Sequence, residues 1–221
     1  MAAKNIYVCS NCGHSEPKWH GRCPECGEWS TFVEEAKRES KVSGFAARAS
    51  GSEGGAPKRA PAATKTLDEI GAEDEKRLST GVGELDRVLG GGIVPGSLLL
   101  LGGEPGVGKS TLLLQTMGSL GERCLMVSGE ESPRQVAMSA RRLGVEKAGF
   151  RVVAETDLDV IEATIAEEQP EVVVVDSVQT LYSPELAGAP GSVGQVRESA
   201  ARLMRLGISI GTAGVLVGHV T

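Results

Sequence analysis

The run Gly103-Glu-Pro-Gly-Val-Gly-Lys-Ser110 constrains this chain more than any other feature. It follows an apolar segment, Ser97–Gly102, and opens a helical pattern, Lys109–Leu120, so the sequence predicts a strand, a glycine-rich turn and a helix in that order. The glycines let successive backbone N–H groups converge on an anion, and the helix N-terminus adds its positive end. A chance match to the pattern is the alternative, and the strand–helix context argues against it. The run is a cradle for a triphosphate. Gly103, Glu104, Pro105, Gly106, Val107, Gly108, Lys109, Ser110 and Thr111 form the expected ATP-binding set. Lys109 would reach the β- and γ-phosphates, Ser110 would ligate Mg²⁺, and Thr111 would contact the α-phosphate.

From Leu67 onward short apolar runs alternate with helical patterns, which is the signature of a parallel α/β sheet. Strands are expected at Arg123–Ser128, Phe150–Ala154, Glu171–Asp176 and Gly214–His219. Ser132 reads as an N-cap with Pro133 at the first helical position, and that helix runs to Leu143. A second helix is expected at Asp157–Glu168, and a third at Val193–Leu206 with Gly207 as its stop. The run Val172-Val-Val-Val-Asp176 is apolar enough to be buried on both faces and presents a carboxylate at its end. Asp176 would help hold Mg²⁺.

Hydrolysis needs a further carboxylate to orient or deprotonate water. Glu130 and Glu131 end the strand adjacent to the P-loop unit, and Glu130 is the favoured catalytic residue beside Lys109 and Asp176. The competing reading makes the two glutamates a helix N-terminal charge pair. His219 ends the last strand on the same edge, either as a sensor of the γ-phosphate or as a plain strand end.

A second pattern occupies the N-terminus: Cys9-x2-Cys12 and Cys23-x2-Cys26. Two such knuckles complete a tetrahedron around Zn²⁺, with Gly13 and Gly27 at positions that favour positive φ. A segment of about thirty residues cannot build a sufficient core, so a structural metal supplies the staple. Reactive thiols or disulfides are the alternative. His14 and His20 are expected at the surface rather than in the metal shell. Trp19 and Trp29 are expected to pack the miniature core, with base stacking as the other reading. Cys124 reads as a small buried hydrophobe.

The domain expectation is therefore a four-cysteine module over 1–33, a tether over 34–66 and an α/β domain over 67–221. The tether is rich in Ala, Ser, Gly, Lys and Pro, a composition too poor in apolar residues to offset its ordering entropy. It carries +3, the first 33 residues balance, and the chain's net −6 leaves −9 for the remainder. No global basic field advertises nucleic acid, so DNA contacts would come from local patches such as the tether. No signal-peptide pattern opens the chain, and no apolar run approaches a membrane span, so a cytoplasmic location and no membrane partner are expected.

The segments CSNCGHSEPKWHGRCPECGEWST, LSTGVGELDRVLGGGIVPGSLLLLGGEPGVGKST, SGEES and VVVVDSVQT resemble the bacterial RadA (Sms) family over nearly the whole chain outside the tether. The resemblance implies a RecA-like P-loop core behind a zinc-ribbon-like module. It also implies a DNA-dependent ATPase of recombinational repair that forms homo-oligomeric rings and drives branch migration. Single-stranded or branched DNA, a RecA-type recombinase and a nucleoid-associated location come with it. Cys9, Cys12, Cys23 and Cys26 would bind zinc, Gly103–Ser110 the nucleotide, and Asp176 would assist Mg²⁺. Family members continue past GHVT into a Lys-Asn-Arg-Phe-Gly motif and a Lon-like domain, so a fragment of a longer protein is the expectation. A neighbouring subunit would complete the site, with Arg197, Arg202 and Arg205 on a plausible helix for such a contact. The competing functional reading is a nucleotide-binding, zinc-stapled module without turnover. A KaiC-type ATPase or a replicative helicase shares the nucleotide logic but calls for no leading cysteine module.

Overall fold

The computed structural model describes residues 5–36, 64, 66, 76–186 and 188–219. Most of the expected tether lies outside the described residues. The cysteine module is a three-stranded antiparallel sheet in the order β2-β1-β3, with β1 at Asn5–Cys9, β2 at Ser15–Glu16 and β3 at Phe32–Ala36. β3 extends three residues past the boundary expected at residue 33. The knuckles are built as the glycines require. Gly13 and Gly27 have φ of 75° and 76°, and their amides donate to the carbonyls of Cys9 and Cys23 at 2.8 and 2.9 Å.

The module's core is Cys9, Cys23 and Phe32, with Tyr7 and Cys26 packed against it. The two tryptophans do not join it. Trp19 is 55% exposed and Trp29 is 69% exposed, which overturns the expectation that they pack inside. The cysteines fill the centre of so thin a module, with Phe32 beside them and Tyr7 against it, so the indoles stay outside. They flank Gly21, and the Arg22 guanidinium lies 5.8 Å from the Trp29 ring centroid.

The second unit is an α/β layer structure. Its described elements are α1 (Gly83–Val88), β4 (Leu98–Gly103), α2 (Lys109–Leu120), β5 (Cys124–Ser128), α3 (Pro133–Arg142), β6 (Arg151–Ala154), α4 (Leu158–Glu168), β7 (Val172–Asp176), α5 (Val193–Ile210) and β8 (Ala213–His219). The strands form one parallel sheet in the order β4-β8-β7-β5-β6. Side chains alternate across it. Cys124, Met126, Val172, Val174, Val215 and Val217 pack on one face with Leu113 and Met117 of α2. Leu125, Val127, Val173, Val175 and Leu216 pack on the other with Ile161 of α4 and Leu203 of α5. Strands covered on both sides need continuous apolar runs, and the valine run of β7 is one.

Ser132 caps α3 at the expected position through a capping box with Gln135, and Asp157, expected as the first helical residue, is the N-cap of α4. Two expectations are corrected. α5 does not stop at Gly207 but continues to Ile210 and ends at Gly211, whose φ is 77°. A Cβ at position 207 would lie 2.7 Å from the Thr212 carbonyl oxygen, so that glycine serves a close approach and Gly211 serves the stop. β5 is not next to the P-loop strand either, because β8 and β7 lie between them. Among the described residues no helix is long and apolar enough to cross a membrane.

Candidate functional site: a phosphate cradle beside an acidic strand end

The cradle is held between β4 and α2. Gly106 and Gly108 take φ of 79° and 103°, and Gly108 is the left-handed N-cap of α2. Among the described residues, neither of their amides donates to a backbone carbonyl. Open amides at a helix start are where an anion seats. The Lys109 ammonium is buried and folds back over the loop, donating to the carbonyls of Gly103 at 2.8 Å and Glu104 at 2.9 Å. No carboxylate neutralises it within salt-bridge distance among the described residues. A buried cation satisfied only by carbonyls is ready for a phosphate. Glu104, Pro105 and Val107 form the exposed rim of the loop, and Thr111 sits half-buried one residue after Ser110.

Ser110, on the first turn of α2, donates its hydroxyl to Asp176 Oδ2 at 3.1 Å. A hydroxyl and a carboxylate meeting beside a phosphate cradle are hard oxygen donors suited to Mg²⁺. Burial pushes the Asp176 carboxyl above the ordinary aspartate range. The Ser110 hydrogen bond opposes that rise and the charge of Glu130 adds to it, while His219 and Lys109 pull it down. The Asp176–Ser177 peptide is cis.

Glu130 reaches this cluster by sheet register rather than by sequence proximity. β5 pairs directly with β7, Ser128 lies opposite Asp176, and the Gly129 amide donates to the Asp176 carbonyl at 2.8 Å. The next residue then faces the end of β7. Glu130 Oε1 accepts from the Ser177 hydroxyl at 2.5 Å and lies 3.4 Å from His219 Nε2. Glu131 turns away: its backbone amide and carbonyl are tied to the Ser128 hydroxyl, and its side chain is exposed. Of the two glutamates the structure brings only Glu130 to Asp176.

Sequence reasoning passed over two residues here. Ser177 follows Asp176 with no motif of its own. Gln179 donates its amide to the His219 carbonyl at 3.3 Å, while its Oε1 and the Nδ1 of His219 are buried without partners among the described residues. Of the three arginines on α5, Arg202 is engaged with Asp159 and Glu162 of α4, and Arg205 lies 3.5 Å from Glu198.

The N-terminal cluster is built independently. The four sulfurs lie within 4.8 Å of one another, with Cys9–Cys26 at 3.7 Å and Cys12–Cys23 at 3.6 Å. Ligands at about 2.3 Å from a tetrahedral zinc stand roughly 3.8 Å apart, so the donor set fits that ion. Burial disfavours the Cys9 thiolate, but the Thr31 hydroxyl, the amides of Asn11 and Cys12 and the Cys12 thiol together bring it down to about 6. The His14 amide favours the Cys12 thiolate, while burial and the other three sulfurs push it up to about 12. Four sulfurs this close cannot all ionise without a cation among them. His14 is paired with Glu16 at 3.0 Å and His20 tilts against Phe32, so neither belongs to the shell. Cys124 is buried in β5, and burial pushes its thiol up to about 12.

Known proteins carry the same two units. A family described as rubredoxin metal binding domain matches residues 7–34, and one described as KaiC matches residues 78–153. The DNA repair protein RadA of Pseudomonas aeruginosa is 50% identical over 221 residues, covering 99% of this chain and 47% of that protein. The chain matches the N-terminal portion of RadA. The RadA proteins of Escherichia coli and Bacillus subtilis are 45% and 44% identical, over 100% and 99% of this chain. The chain spans about half the length of these curated relatives, 47% to 48% of each. Both matched families fall on units seen in the structure, a metal-knuckle sheet and a P-loop α/β core.

Proposed function

We propose that this chain is the zinc module and nucleotide core of an ATPase that works on DNA in recombinational repair. The observation that carries the reading is the convergence of Lys109, Ser110, Asp176 and Glu130 at one sheet edge. Similarity to RadA, a protein named for DNA repair, supports the biological setting. Residues 103–111 bind ATP, with Lys109 against its β- and γ-phosphates. Ser110 and Asp176 hold Mg²⁺, which when bound neutralises charge on the phosphates. Glu130 orients or deprotonates the attacking water. Cys9, Cys12, Cys23 and Cys26 bind structural zinc. In this reading the protein acts on single-stranded or branched DNA beside a RecA-type recombinase, promotes branch migration as a homo-oligomeric ring, and resides in the cytoplasm with the nucleoid. His219 senses the γ-phosphate from the end of β8.

A nucleotide-gated module without turnover is the second reading. Phosphate release from ATP, followed with and without single-stranded DNA, separates the two in the protein its gene encodes. Turnover stimulated by DNA supports the motor. Tight nucleotide binding with no phosphate release over hours supports the module.

A further inference from the structure

One contact beside the cradle is made by a residue whose role no motif marks. Ser177 is fully buried, and its hydroxyl donates to Glu130 Oε1. Three features of the backbone force this meeting. The Gly129 amide is bonded to the Asp176 carbonyl at 2.8 Å, so the turn after β5 is pinned to the end of β7. The Thr180 hydroxyl donates to the Ser177 carbonyl at 2.8 Å, closing the turn that follows β7. A Cβ on residue 129 would lie 1.8 Å from that same Thr180 hydroxyl and 2.8 Å from the Thr180 Cβ, so only glycine lets the two turns touch. With the turns locked together, the residue after Gly129 must stand over the residue after Asp176.

We propose that Ser177 is a positioning residue for Glu130, fixing one carboxylate oxygen so that the other is presented to the attacking water. The proposal rests on the ATPase reading above. Both polar contacts of the carboxylate, from Ser177 and from His219 at 3.4 Å, are made to Oε1. Among the described residues no hydrogen bond reaches Oε2. A glutamate side chain that is 43% exposed otherwise samples several rotamers, and only a fraction of them place it for proton transfer. A buried hydroxyl with a charged acceptor selects one of them, because leaving that hydroxyl unbonded in the interior is costly.

The test compares wild type with Ser177→Ala, Ser177→Thr, Glu130→Gln and the double variant Ser177→Ala/Glu130→Gln, in the protein its gene encodes. Alanine is smaller than serine and leaves the packing of the turn intact. The expected result for Ser177→Ala is a loss of about tenfold to a hundredfold in kcat, with KM for ATP and affinity for a non-hydrolysable analogue within about twofold of wild type. Threonine, which keeps the hydroxyl, restores most of the rate. In the Glu130→Gln background, removing the hydroxyl costs less than about twofold further, since the group it positions is already gone. The proposal is overturned if Ser177→Ala keeps full kcat, if it weakens nucleotide binding as much as turnover, or if its loss multiplies with that of Glu130→Gln. A wild-type protein that binds ATP and never releases phosphate overturns the hydrolase reading, and this proposal with it.

Discussion

Ser110 and Asp176 stand 66 positions apart in the chain and meet at 3.1 Å, the hydroxyl of one on the carboxylate of the other. The parallel sheet makes this possible. β4 and β7 both end on the same edge with β8 between them, so the helix that starts after β4 faces the end of β7. A cation placed between two such oxygens links the cradle to the acidic edge.

That edge carries a cost, and Asp176→Asn should expose it. Burial raises the Asp176 carboxyl above its ordinary value of 3.8. A carboxyl raised on folding binds its proton more tightly in the native state. Its contribution to stability is therefore lost as pH climbs through the window from 3.8 to the raised value, and it stays lost at neutrality. In metal-free protein, Asp176→Asn should be more stable than wild type near neutral pH, and the gain should shrink towards about pH 4. Urea unfolding at the two pH values measures it. The same variant should lose Mg²⁺-dependent turnover.

The difference between Gly207 and Gly211 gives a second prediction. Alanine is the better helix former by about 1 kcal/mol, so Gly207→Ala would stabilise α5 if propensity alone decided. Its Cβ would instead lie 2.7 Å from the Thr212 carbonyl oxygen, a backbone atom that cannot swing away. We expect a net destabilisation of about 1–2 kcal/mol, read from the denaturation midpoint. Gly211→Ala, with open space around it but a φ of 77°, should cost about 1 kcal/mol through backbone strain alone.

The zinc module should depend on its metal outright. Structural zinc contributes on the order of 10–16 kcal/mol in small cysteine modules, far more than a core of Cys9, Cys23 and Phe32 supplies. Cys23→Ser, or a strong chelator, should remove about one zinc per chain and leave residues 5–36 open to limited proteolysis. Elemental analysis and mass spectrometry of the fragments report both. Retained zinc after Cys23→Ser would contradict the assigned shell.

Motif and periodicity were enough to read the cradle, the β7 carboxylate, the Ser132 cap and the paired knuckles, because each is a local pattern with a local cause. What escaped was set by register and packing. The preference for Glu130 over Glu131 has no physical reason within SGEE itself; the reason is Ser128 pairing with Asp176 across two strands. Ser177 has no signature, since its role follows from a contact with a residue 47 positions away. Trp19 and Trp29 depart from the expectation because large aromatics ordinarily seek a core, and this one is already filled by Cys9, Cys23 and Phe32 with Tyr7 against it. The end of α5 was misread because a glycine in sequence does not show whether it supplies a turn or a close approach.

The central claim is that a nucleoside triphosphate seats against the loop at Lys109 with its metal between Ser110 and Asp176. Titrating a fluorescent ATP analogue into this chain, with Mg²⁺ and with chelator, tests it most directly. The account predicts saturable binding that weakens when Mg²⁺ is removed, and a loss of at least about tenfold in affinity for Lys109→Ala in a chain that still folds. Equal affinity of wild type and Lys109→Ala, or binding indifferent to Mg²⁺, would contradict it.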